Sequence, residues 1–137
     1  MNPSTADEVK NDATVERMQR RAAQWGKLEF MSVGGIEVVN VFAWRATVST
    51  RLRFRVNEGI DIIGKLNNNA ILDACVGAAI VVCGWGSPGH NLLRRGQAVL
   101  NLLRNSGITP HAFHVNADGS PRHPLYLGYD VLPKRMQ

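Results

Sequence analysis

The sequence predicts an α/β fold, a three-layer sandwich on a mainly parallel central sheet. Helical and strand-like segments alternate along the chain, and the strand-like runs at 36–42 and 79–85 are almost continuously apolar. A strand covered by helices on both faces needs apolar side chains on both, which is the pattern of parallel sheets. A length of 137 residues with 45% hydrophobic content is also enough for one domain with its own core.

The first helix runs from a cap at Asp12 or Thr14 to Trp25. Val15, Met18, Ala22 and Trp25 share one face, and Gly26 supplies the stop. Ile36-Glu37-Val38-Val39-Asn40-Val41-Phe42 reads as a strand, and residues 45–66, long and Arg-rich, as an irregular excursion. Asn68 or Asn69 caps a second helix reaching Ala78. Ala79-Ile80-Val81-Val82-Cys83-Gly84-Trp85 is the second strand. The third helix spans His90 to Asn105 with a stripe of Leu92, Gly96, Val99 and Leu103. Gly96 predicts a close crossing over the sheet, and Gly107 ends the helix. His111-Ala112-Phe113-His114-Val115 is the third strand, followed by an Asp118-Gly119 turn. The domain is expected over residues 1–130, with 131–137 as a partly ordered tail.

Sixteen Lys and Arg against eleven Asp and Glu give a net charge of +5. Arg45, Arg51, Arg53 and Arg55 fall in a stretch without an acid, and Arg suits bidentate phosphate contacts. The balance fits either a solvated surface or a nucleic-acid face. The two cysteines, Cys75 and Cys83, sit in apolar contexts without CxxC spacing, so buried thiols in a reducing, cytoplasmic setting are expected. No apolar run approaches the length of a membrane span.

Two motifs read as neither core nor helical stripe: Asn2-Pro3-Ser4-Thr5-Ala6-Asp7 and Arg122-His123-Pro124-Leu125-Tyr126-Leu127. Proline biases the residue before it away from helix, which holds Asn2 and His123 extended. In open α/β sheets ligands bind beyond the carboxyl ends of the strands, where Asn40, Phe42, Trp85 and the loop to His123 converge. The bland alternatives stay open. The first motif also suits a turn or cap, Asn40 either bridges to a loop or reads a ligand, and Phe42 and Trp85 are either core or stacking platforms. Arg45 either pairs with Asp7 or binds phosphate. His111 and His114 point to opposite faces of a strand, so no metal site is expected, and no motif calls for a cofactor.

Nearly the whole chain resembles an uncharacterised bacterial and phage family, domain of unknown function 1643. The resemblance rests on NPSTAD, DATVERM, VVNVFAWRAT, the Trp-Gly after a buried strand and DGSPRHPLYL, in that order. The order Asn-Pro, strand ending in Asn, strand ending in Trp-Gly, then His-Pro also resembles the uracil-DNA glycosylase superfamily. That resemblance implies that Asn2 positions the attacking water, Asn40 reads the base edge and His123 stabilises the departing base. Phe42 or Trp85 would stack on that base, and Pro3, Ser4 and Pro124 would present backbone or hydroxyl donors to flanking phosphates. Apart from the resemblance, Arg45 and Arg122 are, with Ser4, the candidates for phosphate or nucleic-acid binding. The chain departs from the pattern in three places. It begins at the Asn-Pro loop, so the strand that precedes this loop in those proteins is missing from this sequence. Leu125-Tyr126 follows Pro124 where a small polar residue is usual in glycosylases, and Asn116-Ala117 stands where the uncharacterised family has Thr-Lys.

Three functions fit: binding of nucleic acid, a nucleotide or a nucleobase at the sheet rim; excision of a modified base by an N-glycosylase; and a phage protein-interaction module. A bacterial cell or phage-infected host is the expected setting.

Overall fold

The computed structural model describes residues 13–28, 30–42, 61, 63–87 and 90–137, with only the backbone at 90–93. Among these residues the fold is α/β, with three α-helices and a small three-stranded mixed sheet.

Helix α1 spans Ala13–Trp25 and buries Arg21, Ala22 and Trp25. The chain leaves it through carbonyl bonds from Leu28 N–H to Gln24 (3.0 Å) and from Phe30 N–H to Trp25 (3.0 Å). The Phe30 ring stands edge-on to the Trp25 indole at 5.5 Å. Residues 31–42 then run without helix or strand.

The absence of a strand at 36–42 corrects the sequence expectation. A strand needs a ladder partner, and this segment makes no backbone–backbone hydrogen bond to another described residue. Side chains hold its end instead. Asn67 Nδ2 donates to the carbonyls of Asn40 (3.2 Å) and Val41 (2.9 Å), and Arg95 Nε also donates to Val41 (2.7 Å).

Helix α2 is Asn67–Cys75, shifted towards the N-terminus of its expected span: Leu66 is at the N-cap, so Asn68 and Asn69 lie inside the helix and cap nothing. Val76 is already extended, and Gly77, at φ +74°, turns the chain away before Ala78. Strand β1 is Val81–Val82, and β2 is Pro110–Ala112. They pair in parallel, Val81 opposite Pro110 and Val82 opposite His111. Both are shorter than their apolar runs because only this stretch has a partner in register. Helix α3, His90–Asn105, matches its expected bounds, and Gly107 ends it at φ +75°.

Residues 131–137 are not a loose tail. They supply β3, Lys134–Arg135, which pairs antiparallel with β2, and Met136 is buried. The sheet order is β1-β2-β3. The core gathers Val41, Phe42, Ile71, Cys83, Val99, Leu100, Leu103, Ala112 and Met136. Phe113, next along the chain from Ala112, packs instead towards α1, its ring 6.4 Å from that of Trp25.

Candidate functional site

A cleft of about 690 Å³ runs between the 32–41 segment and residues 74–85, with Asn40, Trp85, His123 and Pro124 in its wall. Three stretches of chain far apart in sequence thus bring expected site residues to one cavity.

His123 is extended, at φ −66° and ψ 130°, and leads into a 3₁₀ turn, Pro124–Tyr126, with proline at its start. The Leu125 N–H donates to His123 Nδ1 at 3.3 Å. With Nδ1 accepting, the proton of a neutral ring sits on Nε2, which makes Nε2 a donor. The ring lies 5.8 Å from that of Tyr126, whose side chain is 70% exposed.

This loop is held from two sides. From α1, Arg17 Nε donates to the Pro124 carbonyl (3.3 Å) and Arg17 Nη2 to that of Leu127. Arg21 lies wholly buried one turn further on. It donates to the carbonyls of Leu127 (2.7 Å), Val131 (3.3 Å) and Pro124 (3.4 Å). Its guanidinium stacks 4.5 Å from the Phe113 ring, and that of Arg17 stacks 4.3 Å from Tyr129. Burial and the neighbouring Arg17 lower the Arg21 pKa, while Tyr129 and Asp130 oppose that shift. An arginine stays charged under such a shift.

From the other side, Arg122 N–H bonds the His114 carbonyl (2.8 Å) and Gly86 N–H that of Pro121 (2.8 Å). A hydroxyl–carboxylate cluster ties the loop after Trp85 to the Asp118-Gly119 turn. Ser87 Oγ donates to Asp118 Oδ2 (2.7 Å) and lies 2.9 Å from Ser120 Oγ, and Ser120 N–H donates to Asp118 Oδ1 (2.9 Å). Asn116 Nδ2 donates to Ser120 Oγ at 3.1 Å. The hydrogen bonds from Ser120 and then Ser87 hold the Asp118 carboxyl below the usual range. Gly84 lets the proline approach: a Cβ there would lie 2.8 Å from Pro124 Cδ.

Trp85 is half-buried, packs on the core and turns its indole towards α3. A Cβ on Gly96 would sit 2.6 Å from its Nε1, so the expected close crossing is a crossing over this indole. Asn40 is half-buried on the opposite wall. Phe42 does not join them: it is 2% exposed and belongs to the core, so it is no stacking platform in this structure. Arg122 is exposed beside His123 and outside the cleft wall. Asn2, Ser4 and Arg45 lie outside the described residues, as do Arg51, Arg53 and Arg55.

Sequence reasoning missed Arg17, Arg21 and the Ser87–Asp118–Ser120 cluster. Arg21 had a signal, because it falls three residues after Met18 and four before Trp25, on the apolar face of α1. The serine cluster had none, since Ser87 and Asp118 are 31 residues apart.

Both cysteines are free and line the cleft. Burial, then Cys75, pushes the Cys83 thiol up to about 12, and burial also raises Cys75. Both stay protonated near neutrality and are poor nucleophiles there. Among the described residues no group of three His, Cys, Asp or Glu side chains is placed to hold a metal. No helix among them is long and apolar enough to cross a membrane.

A family model for proteins of unknown function, DUF1643, matches residues 1–125. The chain belongs to the DUF1643 family. No curated protein and no solved structure gives a significant match to it. The DUF1643 match spans α1 through the first part of the His123 loop, so both walls of the cleft lie inside the family domain.

Proposed function

We propose that the cleft binds a nucleobase, carried by a nucleotide or a nucleic-acid strand. One observation carries the reading: Asn40, Trp85 and His123 line the same cavity. A carboxamide supplies the adjacent donor and acceptor that match the edge of a base. A histidine Nε2–H suits a base carbonyl, and an apolar wall with few polar groups is what a small-ligand site offers. Arg122 is exposed next to His123 in a chain of net charge +5, which supports a role in meeting a phosphate that flanks the base.

A second reading, excision of the base, rests on the His123 tautomer. Breaking an N-glycosidic bond joins water to the sugar carbon and releases the base with the bonding electrons. A neutral donor aimed at the base oxygen stabilises that charge as it develops. The Leu125 N–H on Nδ1 favours the donor at Nε2.

The finer parts of the reading go together. A three-layer sandwich on a mainly parallel sheet is the finer form of this α/β fold, and it goes with the resemblance to uracil-DNA glycosylases. Two free thiols suit a reducing, cytoplasmic compartment of a bacterium or a phage-infected host.

The test uses labelled single- and double-stranded oligonucleotides, with and without uracil or modified pyrimidines, followed by alkaline treatment. Binding is expected to weaken with salt. Asn40→Ala should lower affinity by about tenfold, the loss of one base-edge contact worth ~1–3 kcal/mol. A new alkali-labile site that disappears in His123→Ala establishes excision. Binding that ignores both substitutions, or no binding of any oligonucleotide or nucleotide at low salt, overturns the reading.

A further inference from the structure

Three buried side-chain nitrogens make no hydrogen bond among the described residues: Arg21 Nε, Trp25 Nε1 and Arg95 Nη2. Arg21 is otherwise well served, by three carbonyls and the Phe113 ring. The Trp25 indole meets the rings of Phe30 and Phe113. Arg95 is different. This guanidinium of α3 is 8% exposed, and among the described residues no carboxylate pairs with it. Its two bonds go to neutral oxygens: Nε donates to the Val41 carbonyl (2.7 Å) and Nη1 to Asn68 Oδ1 (2.7 Å). Burial lowers its pKa, with no neighbouring acid opposing the shift, and the arginine stays charged. A buried cation is ordinarily matched by an anion, because neutral acceptors return only part of its lost hydration.

The guanidinium lies against the start of α2. Asn68 is the second residue of that helix, so its bond to Nη1 brings Arg95 to the first turn. The N-cap position is Leu66, which has no side-chain oxygen to offer the free N–H groups. Asn67 N–H donates to the Gly64 carbonyl (3.1 Å) and Ala70 N–H to that of Leu66 (3.0 Å). Those of Asn68 and Asn69 meet no backbone acceptor among the described residues. Uncapped N–H groups at the positive end of a helix dipole attract anions. The helix start and the orphaned Nη2 are separate features, on α2 and α3, and both call for the same kind of occupant.

The surroundings agree. Lys65, exposed just ahead of the helix, adds a second cation. Asp61, on the approach, already accepts from the N–H groups of Ile63 (3.0 Å) and Gly64 (3.1 Å). Asn68 and Asn69 are exposed, so rotation of the Asn68 carboxamide into solvent uncovers the guanidinium. An anionic oxygen then replaces Asn68 Oδ1 with a stronger, charge-assisted bond. A phosphoryl group fits best. Its three terminal oxygens and nearly two negative charges meet donors from α2 and α3 at once.

We propose that Arg95 Nη1 and Nη2, with the Asn68 and Asn69 amides of α2, form a phosphate-binding site from which phosphate displaces the Asn68 side chain. The site lies behind the Asn40–Val41 end of the cleft, because Asn67 and Arg95 bond those carbonyls while Arg95 is outside the cleft wall. It stands without the nucleobase reading. Free phosphate and the phosphate of a nucleotide are two sources of the same group.

The test is titration of the 137-residue chain with inorganic phosphate at constant ionic strength, followed by NMR at the Asn68 and Asn69 amides and at Arg95 Nε–H. Saturable shifts at all three are expected. Shifts that are absent, or that grow linearly without saturating, overturn the site. Asn68→Asp places a carboxylate where Oδ1 accepts from Nη1, pairing the arginine internally. The fold and Tm should hold while phosphate affinity falls by about tenfold or more. Unchanged affinity overturns the proposal. Arg95→Gln should also abolish binding; if it unfolds the protein, Asn68→Asp decides alone. A nucleoside monophosphate and its parent nucleoside are then compared with phosphate. A monophosphate that binds more tightly than phosphate, and loses that gain in Asn40→Ala, makes a nucleotide the source. Equal affinities make it free phosphate, and both results support the site. Failure of the nucleobase reading shows with the nucleoside and Asn40→Ala, and leaves the phosphate titration untouched.

Discussion

The two walls of the cleft are stabilised in different ways. The His123 wall is held by side chains: two arginines from α1 grip the carbonyls of Pro124, Leu127 and Val131, and the Ser87–Asp118–Ser120 cluster anchors its other end. Among the described residues the 32–41 wall is hydrogen-bonded at its tip, where Asn67 and Arg95 bond the carbonyls of Asn40 and Val41. Valines 38 and 39 remain largely exposed. A loop that carries chemistry needs its geometry fixed by neighbours. An extended segment is fixed when another strand pairs with it.

The most severe way to break this contrast is Arg21→Met. Methionine fills much of the volume but donates nothing, so buried carbonyls lose partners at about 1–3 kcal/mol each. Arg17 continues to serve Pro124 and Leu127, so the expected loss is about 3 kcal/mol in urea unfolding. The His123 loop should loosen with it, while exchange along 32–39 stays as it was. Equal loosening of both walls would mean that they form one cooperative unit.

Gly84→Ala acts more locally. Its Cβ would lie 2.8 Å and 2.9 Å from two ring atoms of Pro124, and a proline ring cannot rotate away. The strain should cost about 1–3 kcal/mol, read by thermal unfolding. If His123 positions the ligand, affinity should fall further than in a surface variant of equal stability. A wild-type Tm would show that the His123-Pro124 turn shifts freely, contrary to the fixed wall described above.

How much of this was legible in sequence follows from the same physics. Helices α1 and α3 were, because each carries its own apolar stripe and is followed closely by a glycine. The strands were legible as apolar runs but not as pairings: 36–42 has the composition of a strand and no partner among the described residues to make it one. β3 was missed because Leu132-Pro133-Lys134-Arg135-Met136 has neither alternation nor β-branched residues, and pairing with β2 alone defines it. Among the site residues, His123 stood out because His-Pro sits outside any stripe. Phe42 was ambiguous because an aromatic at a strand end suits core and rim equally, and only the packing around Ile71 and Leu103 decides.

The smallest effect concerns Asp118, and its value lies in its sign. Hydrogen bonds from Ser120 and Ser87 lower its pKa in the folded protein. A depressed folded value means that the unfolded chain binds the proton more readily, so acid favours unfolding. The stabilisation is fully present above the ordinary carboxylate pKa and is lost as pH falls through the lower folded one. Asp118→Asn removes this titration but keeps an oxygen that accepts from Ser120. The variant should therefore be slightly less stable than wild type at pH 7, and the difference should shrink as pH drops below the ordinary carboxylate value. Thermal unfolding of both proteins across that range tests it. A constant gap would mean that Asp118 acts through shape alone. A closing gap would mean that the charge itself secures the second anchor of the His123 wall, the anchor that ties it to the loop after Trp85.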